Sequence, residues 1–311
     1  SNKGKRLKVS SNKVNLKVSN SLVSLVFDKI NGSLLSYNFS DNEFIKSSPY
    51  TNFWRASIDN DYGNNLPLRS IEWKTASNSR QLESIVTNKV DANLVEVIVN
   101  YKLNNVGSKN KITYSINSKG VLKIENDFVY GGKLNDAQIP RFGMNFTIPK
   151  DYSDVIWYGR GPHENYIDRK SSAFVGLYDS KVEDLGFDYS RPQENGYRTD
   201  VRWLKVSNKD NIGFEIRGKP LISFSAHYNT IEDFDDGLIP QKAGEKLAVR
   251  QRLVKMQRKP VDVPKRDFIS LNIDFKQMGV GGDNSWGART LPKYTISPGN
   301  YSYSFTVIPF N

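Results

Sequence analysis

The chain has 311 residues, 44 Lys and Arg against 33 Asp and Glu, a formal charge of +11, and 38% hydrophobic and 12% aromatic residues. Its 16 Phe, 16 Tyr and 5 Trp are too many for a solvated coil, and a chain of this length buries most of its unfolded surface without staples. Without Cys there is no disulfide, zinc-thiolate site, iron–sulfur cluster or Cys nucleophile, and two His, His163 and His227, cannot build a three-His metal site.

The basic surplus is scattered, with Lys3, Lys5, Lys8, Lys13 and Lys17 set singly among Asn and Ser. It reads as a solvated surface, so nucleic acid is not an expected partner. Nor is a membrane, since no apolar run approaches the roughly 18 residues of a span. Ser1-Asn2 has no apolar stretch behind it and reads as a cloning remnant, with a native start expected upstream. Residues 1–12 are taken as this remnant and a lead-in, and residues 13–311 as one domain.

Along the chain the hydrophobic period is mostly two. Leu25, Val26 and Phe27 stand before Asn31-Gly32 and Leu34, Leu35 and Tyr37 after it, which predicts a hairpin. The run 95–101 is rich in β-branched residues, and 121–128, 268–275 and 301–307 alternate apolar with polar side chains. Such runs predict strands with one face on a core and the other toward water. Gly131-Gly132 and Pro298-Gly299 mark turns. A single short helix is expected between Tyr228 and Asp236, capped by Asn229 or Thr230 with Asp233 behind it. No strand alternates with a long helix, which argues against a (β/α)8 barrel and a doubly wound sheet. The expected fold is a large, all-β antiparallel sandwich with long functional loops.

Four segments break the strand pattern: 52–64, 157–170, 191–203 and 278–287. Each mixes aromatics, amides, carboxylates and Arg with Gly or Pro. That mixture suits a sugar, whose C–H face stacks on an aromatic ring and whose hydroxyls bond to Asp, Asn, Glu and Arg. It equally suits buried Arg–carboxylate networks that anchor long loops. Gly279, Gly281 and Gly282 do not form a dinucleotide fingerprint, since no long helix follows them.

The order of these marks resembles the small-chain, C-terminal region of bacterial β-galactosidases of glycoside hydrolase family 2. The marks are Phe53-Trp54-Arg55-Ala56 with Asp59-Asn60-Asp61, then Gly159 with Gly161-Pro162-His163-Glu164-Asn165-Tyr166 and Asp168-Arg169. Pro192 with Glu194-Asn195-Gly196 and Arg198 follows, and Met278-Gly279-Val280-Gly281-Gly282-Asp283-Asn284-Ser285-Trp286 closes the set. The resemblance runs from about Val14 to Phe310. It implies a galactose-mutarotase-like supersandwich within a longer bacterial polypeptide, whose barrel and sandwich domains lie N-terminal. The two catalytic Glu, and the Mg2+ and Na+ of the parent enzyme, would belong to that barrel, leaving no catalytic residue and no cofactor in this chain. It also implies that Trp286 reaches the active-site mouth as a platform for a β-galactoside. Asp283, Asn284, His163, Glu164, Glu194, Arg55, Asp59 and Asp61 are further candidates for sugar contact. His163, where Gln is also found in the family, and Arg191 before Pro192 depart from the enterobacterial pattern and bear on acceptor preference.

The expected function is therefore one wall of a retaining glycosidase cleft, inert by itself. Retaining hydrolysis needs two carboxyl groups roughly 5–5.5 Å apart, and the barrel would supply both. The alternative is a free-standing aldose mutarotase or epimerase, with His163, His227, Glu164 and Glu194 as the pool of acids and bases. A plain carbohydrate-binding module shades into the first reading. Periplasm and cytoplasm both remain open as compartments.

Overall fold

The structure, a computed structural model, describes residues 6–132, 138–235 and 259–311. Ser1-Asn2, Lys3, Lys5 and Asp236 lie outside the described residues. A five-stranded sheet is formed by β1 (Lys8–Ser11), β2 (Asn15–Ser19), β3 (Val23–Asp28), β4 (Leu34–Phe39) and β5 (Asn42–Glu43), in that order. The predicted hairpin is β3–β4. Residues read as a lead-in supply the edge strand β1, and Leu7 before it is buried.

The second sheet has twelve strands: β6 (Ser47–Asn52), β7 (Arg80–Lys89), β8 (Leu94–Leu103), β9 (Ser108–Asn117), β10 (Leu122–Val129), β11 (Arg141–Pro149), β12 (Asp154–Gly161), β13 (Phe174–Lys181), β14 (Arg198–Ser207), β15 (Gly213–His227), β16 (Phe268–Gln277) and β17 (Tyr301–Phe310). Its main path runs β13-β12-β14-β15-β17-β10-β9-β8-β7, and every pairing is antiparallel. Strand β15 belongs to two rows. Its first half pairs with β17, and its second half pairs with β16, which leads to β11 and β6. The fold is thus all-β and antiparallel, as the alternation predicts.

One hydrophobic cluster joins both sheets. Phe27 of the small sheet meets Tyr114 of β9 edge-on at 5.2 Å between ring centroids. Phe53 lies in an aromatic knot with Phe128 (5.1 Å), Trp73 (5.4 Å) and Phe142 (5.9 Å). Each fully buried ring of this kind contributes about 1.5–3 kcal/mol, so the first loop segment is pinned at its root by apolar burial.

Two expectations need correction. Besides the helix α4 (Ile231–Phe234), capped by Thr230 and Asp233 as predicted, three short helices occur: α1 (Asp59–Gly63), α2 (Leu66–Arg69) and α3 (Ile71–Ala76). At four to six residues they are too short to show a 3.6 period. The second correction concerns β16. Ile269, Leu271 and Ile273 face the core as expected, but Ser270, Asn272 and Asp274 are buried too. Their face does not meet water, because the turns carrying Ala56, Glu194, Ile231 and Phe234 pack over it. Hydrogen bonds knit this covered polar face: Asn145 donates to Ser270 (3.0 Å) and Asn272 (3.1 Å), Asn52 to Asn272 (3.2 Å), and Asn272 to Ser225 (3.2 Å).

Candidate functional site

The four polar segments converge into a closed ring at one end of the β14–β15–β16 region. Segments 52–64 and 278–287 meet first. The Arg55 guanidinium is fully buried, donates to the Met278 carbonyl at 2.8 Å and pairs with Asp61 at 3.0 Å. Burial pushes the Asp61 carboxyl up, while Arg55 and the Ile58 N–H favour its charge. Asn60 clamps the far side, donating to the Asn284 carbonyl (2.8 Å) and accepting from the Gly287 N–H (3.1 Å).

Segment 157–170 grips the same loop from the other side. Asp168 accepts from the N–H groups of Val280 (3.1 Å) and Gly281 (2.7 Å) and from the Thr290 hydroxyl (3.2 Å). Segment 191–203 joins 157–170 through Glu164, which takes the Gly196 N–H at 2.7 Å and is bonded by Arg169 and Tyr189. Arg198 adds bonds to three carbonyls, of Leu185, Gly196 and Pro162. Burial without a carboxylate partner lowers its pKa to about 10. Gln193 and Arg191 reach Asp59, at 3.2 and 3.5 Å, and close the ring.

Within this frame the candidate residues divide sharply. Arg55, Asp61 and Glu194 are buried and paired with protein groups, so their place is in the loop-anchoring network and not on a sugar-facing surface. Glu164 is largely buried and engaged. His163 is exposed with Nε2 3.0 Å from the Ser172 hydroxyl, and the Asp59 side chain is 58% exposed. Asp283, Asn284 and Trp286 are exposed. Asn284 turns inward enough to accept from the Trp286 and Ala288 N–H groups at 2.9 and 3.2 Å, forming an Asx-type turn beneath the indole.

Trp286 is the outlier among the five Trp. Trp54, Trp73 and Trp157 are buried, Trp203 is half-buried, and Trp286 is 85% exposed. The backbone beneath it is not loose. Gly287 holds φ +118°, which favours glycine, and a Cβ on Gly63 would meet the Trp286 carbonyl oxygen at 2.6 Å. Two glycines therefore let α1 and the loop touch backbone to backbone, fixing an indole whose faces are open. An exposed aromatic held on a rigid base is suited to stacking on an apolar ligand face.

Residues outside the predicted set do much of the anchoring. Asp168 and Asn60 lie inside the quoted segments, yet their backbone partners sit over a hundred residues away and leave no local signal. Asp274 lies in a run read as an ordinary strand, and Arg141 and Gln277 lie outside every segment singled out in the sequence. Arg141 is fully buried, pairs with Glu194 at 3.0 Å and Asp274 at 3.3 Å, and bonds Gln277 at 2.8 Å. Burial opposes its charge, but the two carboxylates outweigh this and raise its pKa. Burial also raises Glu194, and it pushes Asp274 up to about 7 despite Arg141.

Of the four acids and bases proposed for an epimerase, His163 is exposed beside Ser172 and the other three are engaged within the protein. Burial lowers His227 to about 4, leaving it neutral with Nε2 3.1 Å from the Asn195 carbonyl. Glu194 is held by Arg141, and Glu164 by Arg169, Tyr189 and Gly196. Among the described residues, no three His, Asp or Glu side chains group as metal ligands.

The family profile of the β-galactosidase small chain matches residues 19–307. A β-galactosidase of Priestia megaterium is 35% identical over 304 residues, covering 97% of this chain and 27% of that protein. One from Halalkalibacterium halodurans is 30% identical over 291 residues, covering 93% of this chain and 27% of its own length. The chain thus spans about a quarter of the curated relatives it matches. Among solved structures, a galactose mutarotase related enzyme from Lactobacillus acidophilus aligns over 96% of this chain and 97% of its own, at 7% identity and a TM-score of 0.46.

Proposed function

The chain belongs to the β-galactosidase small-chain family, and from that premise we propose that it forms one wall of the active-site cleft in a longer β-galactosidase. The wall presents the Trp286 face to the sugar. It excludes water and narrows the cleft, while bond cleavage rests on two carboxyl groups supplied N-terminal to this chain. Residues 13–311, together with the edge strand β1 that pairs onto β2, act as one domain, docking on the barrel and sandwich domains of the same polypeptide. The Mg2+ and Na+ that the resemblance assigns to the barrel enter no step proposed for this chain.

The observation that carries this reading is the exposure of Trp286 on a loop clamped from both sides by Asn60 and Asp168. An indole left in water while the backbone beneath it is clamped offers its flat face for stacking, which a packed core Trp cannot do. Asp283, Asn284, Asp59 and His163 are exposed in the same ring and are the residues placed to meet sugar hydroxyls at its rim, Asn284, Asp59 and His163 beside the bonds they already make.

The test uses the chain and a complementing fragment. Alone, the chain should be folded and inert toward nitrophenyl β-galactoside. Mixed with a matching N-terminal fragment it should restore turnover, if the domain folds alone and docks on its neighbours as separate domains do. Hydrolysis by the purified chain that vanishes in Glu164→Gln or Glu194→Gln would sink the wall reading, and mutarotation of free galactose by the chain alone would favour the epimerase-like alternative. Saturable sugar binding at Trp286 without the fragment would favour the self-sufficient binding module.

A further inference from the structure

We propose that the outer face of β12, β13 and β14 seats the part of the polypeptide that lies N-terminal to this chain. The twelve-stranded sheet turns one face to the core and the other outward, and the outward face changes character across its width. On β9, β10 and β17 it carries Lys111, Lys123, Glu125, Asp127, Ser302 and Ser304, as a strand face in water requires. On β12, β13 and β14 it carries Ile156, Tyr158, Val175, Leu177 and Trp203. Trp157 and Leu204, their neighbours along the strands, are buried in the core, so these five point away from it. Leu177 is 66% exposed, and Val175, Ile156 and Tyr158 are exposed beside it. Apolar side chains adjacent on three strands form a patch of the kind that marks an interaction surface.

The patch is graded along the strands. Its cross-strand rows read Val175–Arg160, then Leu177–Tyr158–Trp203, then Asp179–Ile156–Lys205, and last Lys181–Asp154–Ser207. The apolar side chains gather toward the end where β12 runs into segment 157–170, and the acidic and basic ones toward the other. Arg160 of the first row belongs to both regions. Its guanidinium pairs with Asp200 at 2.5 Å and donates to the carbonyls of Lys170 (3.2 Å) and Ala173 (2.7 Å). Strand β13 is also an edge of the sheet. It is eight residues long, holds no Pro and carries its one Lys at the far end, so the usual guards of a free edge are missing from its ring end. Phe174, at that end, is 74% exposed.

The occupant follows from the place of the patch and the size of the chain. The chain covers 27% of each of two β-galactosidases it is similar to, so most of such a polypeptide lies outside it. The ring of four polar segments faces that remainder if it forms a cleft wall, and the patch continues the ring through Arg160 and Phe174. A body seated across the ring therefore reaches the Leu177–Tyr158–Trp203 row without a break. A second copy of the chain would have no reason to prefer the end nearest the ring. The inference rests on the reading of this chain as part of a longer polypeptide, and it assigns no role to Trp286.

The experiment uses the absence of Cys from this chain. Leu177→Cys on the patch and Lys109→Cys on the polar half report access through their alkylation rates, read by mass spectrometry on the peptide that carries each. Both should react fast in the free chain. In the full-length enzyme Leu177→Cys should react about tenfold slower or more, because access then needs the interface to open, and Lys109→Cys should keep its rate. Leu177→Lys gives a second reading. It should lower the melting temperature of the full-length enzyme and leave that of the free chain unchanged, which a role inside this chain's own fold would not do. The proposal is overturned if Leu177→Cys is already slow in the free chain, if it reacts as fast in the full-length enzyme, or if both cysteines slow equally. Protection that vanishes on dilution together with a dimer in sedimentation would give the face to a second copy and overturn it too. Failure of the wall reading shows elsewhere, as a KM untouched by Trp286→Ala, and leaves the labelling result standing.

Discussion

The Trp286 loop and the covered polar face of β11, β15 and β16 draw on the same residue types and treat them in opposite ways. Around Trp286, Asn60, Asn284 and Asp168 spend their polar atoms on backbone N–H and C=O groups, so the loop is fixed while the indole stays in water. On the covered face, Arg141, Glu194 and Asp274 spend theirs on one another, out of water, and several atoms find no partner. One region is fixed with its aromatic ring left in water. The other is a buried charge network whose removal should be costly and whose titration should be felt in stability. Polar composition alone does not tell the two apart; the partners do.

The sharpest way to break this contrast is Arg141→Met. It strands Glu194 and Asp274 without their cation, and breaking a buried pair by removing one partner costs about 3–5 kcal/mol. Denaturant unfolding should show that loss, and adding Glu194→Gln should recover part of it. A cost near zero would mean that this face is wetter than its burial says.

A smaller effect is expected on the loop. Gly63→Ala places a Cβ 2.6 Å from the Trp286 carbonyl oxygen, and overpacking of this kind costs about 1–3 kcal/mol. Hydrogen exchange should quicken at Gly287 ahead of the sheet. Asp168→Ala should do the same at Val280 and Gly281, whose N–H groups it holds. Unchanged protection in both variants would mean that the loop is ordered by something other than these clamps.

The pH dependence sharpens the comparison within the covered face, where two groups act with opposite sign. His227 is held near 4 when folded, below the ordinary value of 6.5. Its contribution is therefore present above pH 6.5 and lost as pH falls toward 4. Asp274 is raised from 3.8 to about 7. The native state keeps a proton that the unfolded chain releases, so that contribution is lost as pH rises from about 4 to 7. Relative to the parent chain, His227→Asn should gain stability as pH drops from 6.5 to 4. Asp274→Asn should gain as pH rises from 4 to 7. Parallel curves for either variant would contradict its assigned shift.

Much of this was legible in the sequence, for physical reasons. Period-two runs such as 95–101 and 121–128 became β8 and β10 because alternation is what a half-buried strand requires. Trp286 among glycines had to be a loop residue, and it is. The covered face was not legible. Ser270, Asn272 and Asp274 alternate with Ile and Leu whether water or another loop lies over them, so the pattern cannot report the cover. The same blindness made Arg55, Asp61 and Glu194 look like sugar contacts. Their partners are fixed by tertiary approach, as between Glu194 and Arg141, 53 residues apart.

The central claim is that Trp286 serves binding and not packing. Its most direct test is Trp286→Ala in the full-length enzyme, with KM and melting temperature measured on the same preparation. An aromatic face on a sugar in a partly wet site is worth about 1–2 kcal/mol. The account therefore predicts KM raised about tenfold, a melting temperature within a degree or two of the parent, and partial recovery of KM in Trp286→Tyr. A buried Trp changed to Ala would instead cost about 3–5 kcal/mol of stability. A large fall in melting temperature with an unchanged KM in the surviving enzyme would contradict the account.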